Sequence, residues 1–75
     1  MEGAARPLDA LNETRGKNVI VDLKNGCRYT GKLKAFDIHI NVVLEEAAES
    51  RDGEVKRNLG KVFIRGDTIT IITPA

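Results

Sequence analysis

Seventy-five residues make one small domain, spanning 1–75, whose single core is marginal alone, so a staple or oligomerisation is expected. Twelve basic and eleven acidic residues leave a net charge of +1, too even for a domain that grips duplex phosphates non-specifically. The only cysteine, Cys27, excludes an internal disulfide and a cysteine-based zinc site, and no apolar run is long enough for a membrane span.

Residues 1–7 carry no apolar h-region, so no signal peptide is expected and a soluble, cytoplasmic protein is the simplest setting. The sequon Asn12-Glu13-Thr14 and the adhesion tripeptide Arg65-Gly66-Asp67 need an extracellular context and are set aside as chance.

Pro7 suits a first helical position, and Leu8 and Leu11 share a face, which predicts a short helix over about 7–14. Gly16 is available for a left-handed cap. Beyond it the period changes to two. Val19, Val21 and Leu23 alternate with Asn18, Ile20 and Asp22, which predicts a strand, and Asn25-Gly26 supplies a hairpin signal. Cys27 to Phe36 continues as a strand interrupted by Gly31, the mark of a bulge or sharp bend.

Alternation alone then places Ile38, Ile40, Val42 and Leu44 on one face of a third strand, with Asp37, His39, Asn41 and Val43 on the other. The polar, turn-rich stretch around 48–54 predicts an exposed loop. Val55 to Arg65 reads as a strand with an internal Gly60. Gly66-Asp67 turns the chain into the β-branched strand Thr68-Ile69-Thr70-Ile71-Ile72, ended by Pro74. The sum is mainly all-β: a short N-terminal helix followed by a five-stranded, strongly bent antiparallel sheet or small open barrel.

The last two strands are apolar and β-prone. Either they pair with each other within one chain, or their edges pair with another copy, which can close a ring.

The residues best suited to chemistry are Asp37, His39 and Asn41, spaced by two, and Arg65-Gly66-Asp67. They offer a flat ring, an amide with donor and acceptor, and a guanidinium plane, the parts that hold an unstacked nucleobase. Each also has a bland role: a solvated histidine, an asparagine or aspartate satisfying a turn, an arginine beside a turn. Gly66 most simply supplies a φ angle that other residues reach with difficulty. No second histidine or cysteine completes a metal site, no nucleophile lies near His39 in sequence, and Ser50 has no evident activator. Neither a cofactor nor enzyme activity is expected. With only Tyr29, Phe36 and Phe63 as aromatics, an extended stacking platform is not available either.

The two segments resemble the two halves of the signature of the Sm and Sm-like (LSM) family. Asn25-Gly26, Gly31, Leu33, Phe36-Asp37, His39, Asn41, Val43 and Leu44 match the first half, within about 18–45. Gly60, Val62-Phe63-Ile64-Arg65-Gly66-Asp67 and Ile69 match the second, within about 56–72, with a variable loop at about 47–55 between them. Ile40 stands where many members carry methionine, a conservative apolar change. Short length and absent charged tails look most like the archaeal members.

That resemblance implies the Sm fold, an SH3-like open barrel, assembled from one kind of subunit into a ring, usually a heptamer, with hexamers in related branches. It places 37–41 in a loop rather than a strand. It implies that single-stranded, uridine-rich RNA binds at the inner rim of the pore, where the ring serves as a scaffold or chaperone in RNA processing or turnover, alongside other RNA-processing proteins. Carried over by position, His39 and Arg65 would sandwich a uracil, Asn41 would bond its edge, Asp37 would position Asn41, Gly66 would hold the Arg65 turn and Asp67 would approach the ribose. Repetition of Arg65 around the rim would give positive potential despite the near-neutral charge. Arg6 and Phe36 are candidates for a second, outer RNA contact. The alternative is a small-barrel protein–protein interaction module that uses Phe63 and the open edges and reads no base.

Overall fold

The computed structural model describes residues 6–75, so most of the stretch read for a signal peptide lies outside it. Its elements are α1 (Pro7–Asn12), β1 (Asn18–Leu23), β2 (Cys27–Phe36), β3 (Val42–Arg51), β4 (Glu54–Asn58), β5 (Val62–Ile64), a single 3-10 turn (Gly66–Thr68) and β6 (Ile69–Pro74). All strand pairs are antiparallel, in the order β4-β3-β2-β1-β6, with β5 also on β3.

The short helix opens on Pro7, as expected, and ends at Asn12. Bonds of the i to i−3 type from Thr14, Arg15 and Lys17 carry the chain to Gly16, whose φ of 84° is the left-handed geometry anticipated there. The Asn25-Gly26 turn joins β1 to β2. The Asn25 side chain accepts from the Cys27 N–H at 2.9 Å, and Gly26 takes a φ of 92°.

Gly31 bends the sheet by close approach. A Cβ there would lie 2.9 Å from the Glu45 carbonyl oxygen and 3.1 Å from the Ala47 Cα. Opposite it the β2–β3 register slips between Thr30↔Ala48 and Lys32↔Glu45, leaving two residues of β3 against one of β2. Glu46, with φ 52°, is in that bulge. A second slip between Leu33↔Leu44 and Ala35↔Val43 leaves Lys34 as the extra residue on β2. These bends let both long strands wrap one core of Val19, Val21, Leu33, Val42, Leu44, Ala47 and Ile64. Val19, Val21, Leu33 and Leu44 are fully buried and Val42 nearly so, so alternation had the inward faces right for Val19 and Val21 on β1 and for Val42 and Leu44 on β3.

Two expectations need correction. The stretch 47–55 is mostly strand: β3 runs to Arg51 and β4 begins at Glu54, so the expected variable loop shrinks to Asp52-Gly53. Both residues have positive φ, 55° and 82°, the two-residue geometry whose twist matches the flanking strands. The second correction concerns alternation at 37–41, where the loop implied by the resemblance forms instead. No strand forms there, because the Asp37 carboxylate accepts the His39 and Asn41 N–H groups that a ladder would need. Beyond the turn, the strand read from Val55 to Arg65 is split at 59–61 into β4 and β5. Both remain on β3, through Leu59 N–H to Ala47 O at 2.7 Å and Ala47 N–H to Gly60 O at 3.0 Å.

The choice left open for the last two strands is settled by topology. β5 pairs with β3 and β6 with β1, so the two apolar strands lie at opposite edges of the sheet and do not cover each other. Phe63 on one edge is 76% exposed and Ile71 on the other 56%.

Candidate functional site

Five of the six candidate residues line one polar recess of about 420 Å³: His39, Asn41, Arg65, Gly66 and Asp67. The sixth, Asp37, does not line it but accepts a bond from the Asn41 side chain that does. Two loops separated by more than twenty residues build the recess: the 37–41 turn at the head of β3 and the 3-10 turn after β5. They meet because Val42 pairs with Ile64, which places the residues just outside each strand end side by side.

The 37–41 turn is organised by one carboxylate. Oδ1 of Asp37 accepts from His39 N at 2.8 Å and Asn41 N at 3.1 Å, while Oδ2 accepts from Asn41 Nδ2 at 3.0 Å. The turn closes with Ile40 N–H to Asp37 O at 3.0 Å and Asp37 N–H to Asn41 O at 3.1 Å. The donated bond from the Asn41 side chain, helped by those from the two backbone amides, holds the Asp37 carboxyl below the usual carboxylate range. Asp37 is therefore an anion at neutral pH whose lone pairs are committed to shaping the turn.

Asn41 joins the two loops. Its Oδ1 accepts the Gly66 N–H at 2.8 Å, so the side-chain amide is held at both ends, by Asp37 and by Gly66. This corrects the reading of Gly66. Its φ is not in the left-handed region, so the residue is not there for backbone freedom. It is there for space: a Cβ would fall 1.9 Å from the His39 carbonyl oxygen and 2.7 Å from the Ile40 carbonyl carbon. Ile40 itself takes a φ of 61°, an uncommon geometry for a β-branched residue, and it is the point at which the two loops touch. Sequence reading missed Ile40, and its apolar character gave no signal for that role.

Arg65 and Asp67 are paired across the turn, Nη2 to Oδ2 at 2.9 Å, with both side chains largely in solvent. Thr68 caps the same turn, its hydroxyl and N–H both donating to the Arg65 carbonyl at 2.7 and 3.1 Å. Arg6 and Phe36, the candidates for an outer RNA contact, each engage another residue. The Arg6 guanidinium bonds Asp9 at 2.9 Å, and it is Arg15 that lies over the Phe36 ring, 6.0 Å from its centroid.

Among the described residues no three His, Cys, Asp or Glu side chains gather as a metal site, and no helix is long and apolar enough to cross a membrane. The recess itself combines a fixed amide, an imidazole and a guanidinium around open space. That set can stack on a flat ring and exchange hydrogen bonds with its edge.

The LSM domain model matches residues 9–74. An Sm-like protein of Archaeoglobus fulgidus is 50% identical over 70 residues, covering 93% of this chain and 91% of its own. The Sm protein of Pyrococcus abyssi, solved in complex with a uridine heptamer, superposes with a TM-score of 0.90 at 46% identity, covering 93% of this chain and 99% of its own. The SmAP1 heptamer of Pyrobaculum aerophilum superposes with a TM-score of 0.88 at 35% identity, covering 96% of each chain. On the matched model, these identities and the shared bent sheet, this chain belongs to the LSM family of Sm-like proteins.

Proposed function

We propose that the chain is the subunit of a homo-oligomeric ring, a heptamer, that binds single-stranded uridine-rich RNA at the inner rim of its pore and acts as a cytoplasmic scaffold or chaperone in RNA processing or turnover. The observation that carries this reading is the convergence of His39, Asn41 and Arg65 on one recess, with the Asn41 amide locked in a single orientation. It is supported by the uridine heptamer held by the Pyrococcus abyssi relative.

The chemistry of the locked amide selects the base. With one Oδ1 lone pair given to Gly66 and one Nδ2 hydrogen given to Asp37, Asn41 retains an acceptor and a donor side by side. Uracil presents the complement, an N3–H donor next to the O4 acceptor. Cytosine presents an acceptor next to an amine, so both contacts become repulsive. His39 and Arg65 supply the two faces of the sandwich, Asp37 is the positioning residue for Asn41, Gly66 lets the loops meet, and Asp67 stands where the ribose passes. Binding needs no bond-making step, and we assign none.

One such site is weak, since stacking contributes about 1–3 kcal/mol per base. A ring offers the same site repeatedly to one strand, so each further uridine binds at high effective concentration. The open edges of β5 and β6, at opposite ends of the sheet, suit a head-to-tail contact that closes by rotation. A protein-interaction module would use the same edges but gives no reason for a locked Asn41. Native mass measurement together with titration of oligo-uridine and oligo-cytidine tests the proposal. A ring preferring oligo-uridine is expected; a monomer, or equal affinity for the two oligomers, overturns it.

A further inference from the structure

The recess is not positively charged. Arg65 is its cation, and Asp67, lining the same recess, lies 2.9 Å from the guanidinium. Asp37, directly behind Asn41, adds a second anion that its hydrogen bonds keep ionised. Each site thus sets one positive charge against two negative ones. Repeating it around a ring multiplies that balance instead of building the positive rim expected from Arg65 alone. Cations on and just after β4 are also engaged: Lys56 with Glu54 at 3.0 Å, Arg57 with Glu49 at 2.7 Å and Lys61 with Glu45 at 4.0 Å.

We propose that Asp67 is a specificity-determining residue: it occupies the Arg65 guanidinium edge and excludes phosphate from it, so that the pocket admits the base and rejects the backbone. This rests on the RNA-binding reading above. Arginine has two ways to engage a nucleotide, a forked bond to phosphate or a stack on the ring face. The fork is indifferent to sequence, because every nucleotide carries the same phosphate. With Asp67 on one edge of the guanidinium, a bidentate phosphate contact must displace a carboxylate and approach a second negative charge. The guanidinium face remains open, because an edge-on ion pair does not cover it. The near-even charge of the whole chain fits the same logic: affinity is drawn from bases, and non-specific polyanion binding is suppressed.

The test compares the intact wild-type ring with Asp67→Asn, which keeps the shape of the side chain and removes its charge. Binding of oligo-uridine, oligo-cytidine and inorganic polyphosphate is titrated across a salt series, and native mass verifies that the variant still forms a ring. A phosphate contact to single-stranded RNA contributes a log–log salt slope of about −0.7. Wild type is expected to show a slope well shallower than that per subunit. The variant is expected to show a steeper slope, tighter binding of oligo-cytidine and polyphosphate by about fivefold or more, and a smaller uridine preference; one unit charge about 4 Å away in water accounts for a factor of that size.

An unchanged slope and unchanged uridine preference overturn the inference while leaving the RNA-binding reading intact. So does loss of all binding in the variant, which makes Asp67 a required contact instead. Should wild type fail to bind oligo-uridine, the RNA-binding reading falls, and the polyphosphate comparison still decides whether Asp67 screens Arg65. If the variant does not assemble, the wild-type salt slope decides: a full phosphate slope per subunit overturns the inference.

Discussion

The Gly66 amide donates to Oδ1 of Asn41 at 2.8 Å, across 25 positions of sequence, and this bond is what makes two loops into one site. It exists only because the backbone of Gly66 sits against the His39–Ile40 peptide with no side chain between them. The bond and the missing Cβ are two consequences of the same close approach.

Gly66→Ala is therefore expected to push the loops apart. A Cβ 1.9 Å from a carbonyl oxygen forces backbone movement, and overpacking of this kind costs about 1–3 kcal/mol or more. Oligo-uridine binding should fall together with the melting temperature. Gly60→Ala is the matched control, because a Cβ there meets nothing within 4 Å and its φ is unremarkable for an L residue. Thermal unfolding and RNA titration of the two variants should separate clearly, and equal behaviour would contradict the close-approach account.

Asp37 acts only through the turn that it shapes. Asp37→Ala removes the acceptor of three hydrogen bonds, freeing the Asn41 amide to rotate and the His39 backbone to move. Oligo-uridine affinity should drop by about an order of magnitude, and preference over oligo-cytidine should shrink with it, since a rotated amide presents its donor and acceptor in either order. Asp37→Asn is expected to recover part of the affinity, because a neutral oxygen still accepts from the backbone. A variant with weaker affinity but full base preference would show that Asp37 does not set the amide orientation.

The strands that could be read from sequence were those with one buried face. Val19 and Val21 alternate because each must leave water while Asn18 and Ile20 need not, and Gly31 announced the bend that its crowded surroundings explain. Alternation failed at 37–41, where the period of two continues but a side-chain carboxylate takes the backbone amides out of any ladder. Composition misled around 48–54, where a polar, turn-rich stretch concealed a hairpin; Asp52-Gly53 was the legible signal, a two-residue turn of the kind already recognised at Asn25-Gly26. The site residues were visible as types, but their convergence follows from Val42↔Ile64 pairing, which is long-range and leaves no local mark. The Arg65–Asp67 pair was adjacent in sequence all along, yet whether an aspartate faces a guanidinium or the solvent is decided by the geometry of the turn.

The exposed edges make a prediction about assembly that is separable from folding. Phe63 opposes Val43 on the face away from the core and is 76% exposed, so Phe63→Asp leaves the core of this chain untouched. It should place a charge on the β5 edge that a neighbour must cover. Native mass should fall from the ring to the 8.2 kDa chain while the β-sheet circular dichroism is retained. Leu44→Ala provides the contrast: its side chain is fully buried, and truncation should cost about 2–5 kcal/mol and lose fold and ring together. A Phe63→Asp ring of unchanged mass would remove the β5 edge from the interface.

Acid should unfold the chain through a second carboxylate that straps the hairpin to the sheet. Glu49 on β3 accepts from Arg57 Nε of β4 at 2.7 Å and from the Tyr29 hydroxyl of β2 at 3.0 Å, so it ties three strands at one point. The Arg57 bond first, and the Tyr29 bond next, hold its carboxyl below the ordinary value near 4.5, while burial and the Glu49 charge push the Tyr29 hydroxyl up. A depressed folded-state value means that protons bind the unfolded chain more readily. The stabilisation is thus complete above the unfolded-state value and is lost as pH falls through the folded-state one. Asp22, held down by Arg28, and Asp37, held down by Asn41, act in the same direction. The melting temperature should be flat above about pH 5 and decline steeply below the ordinary carboxylate range. Glu49→Gln should lower it at neutral pH and flatten the acid decline, because the variant has lost the proton-linked part of the strap. Parallel acid limbs for wild type and Glu49→Gln would show that this carboxylate does not govern the transition.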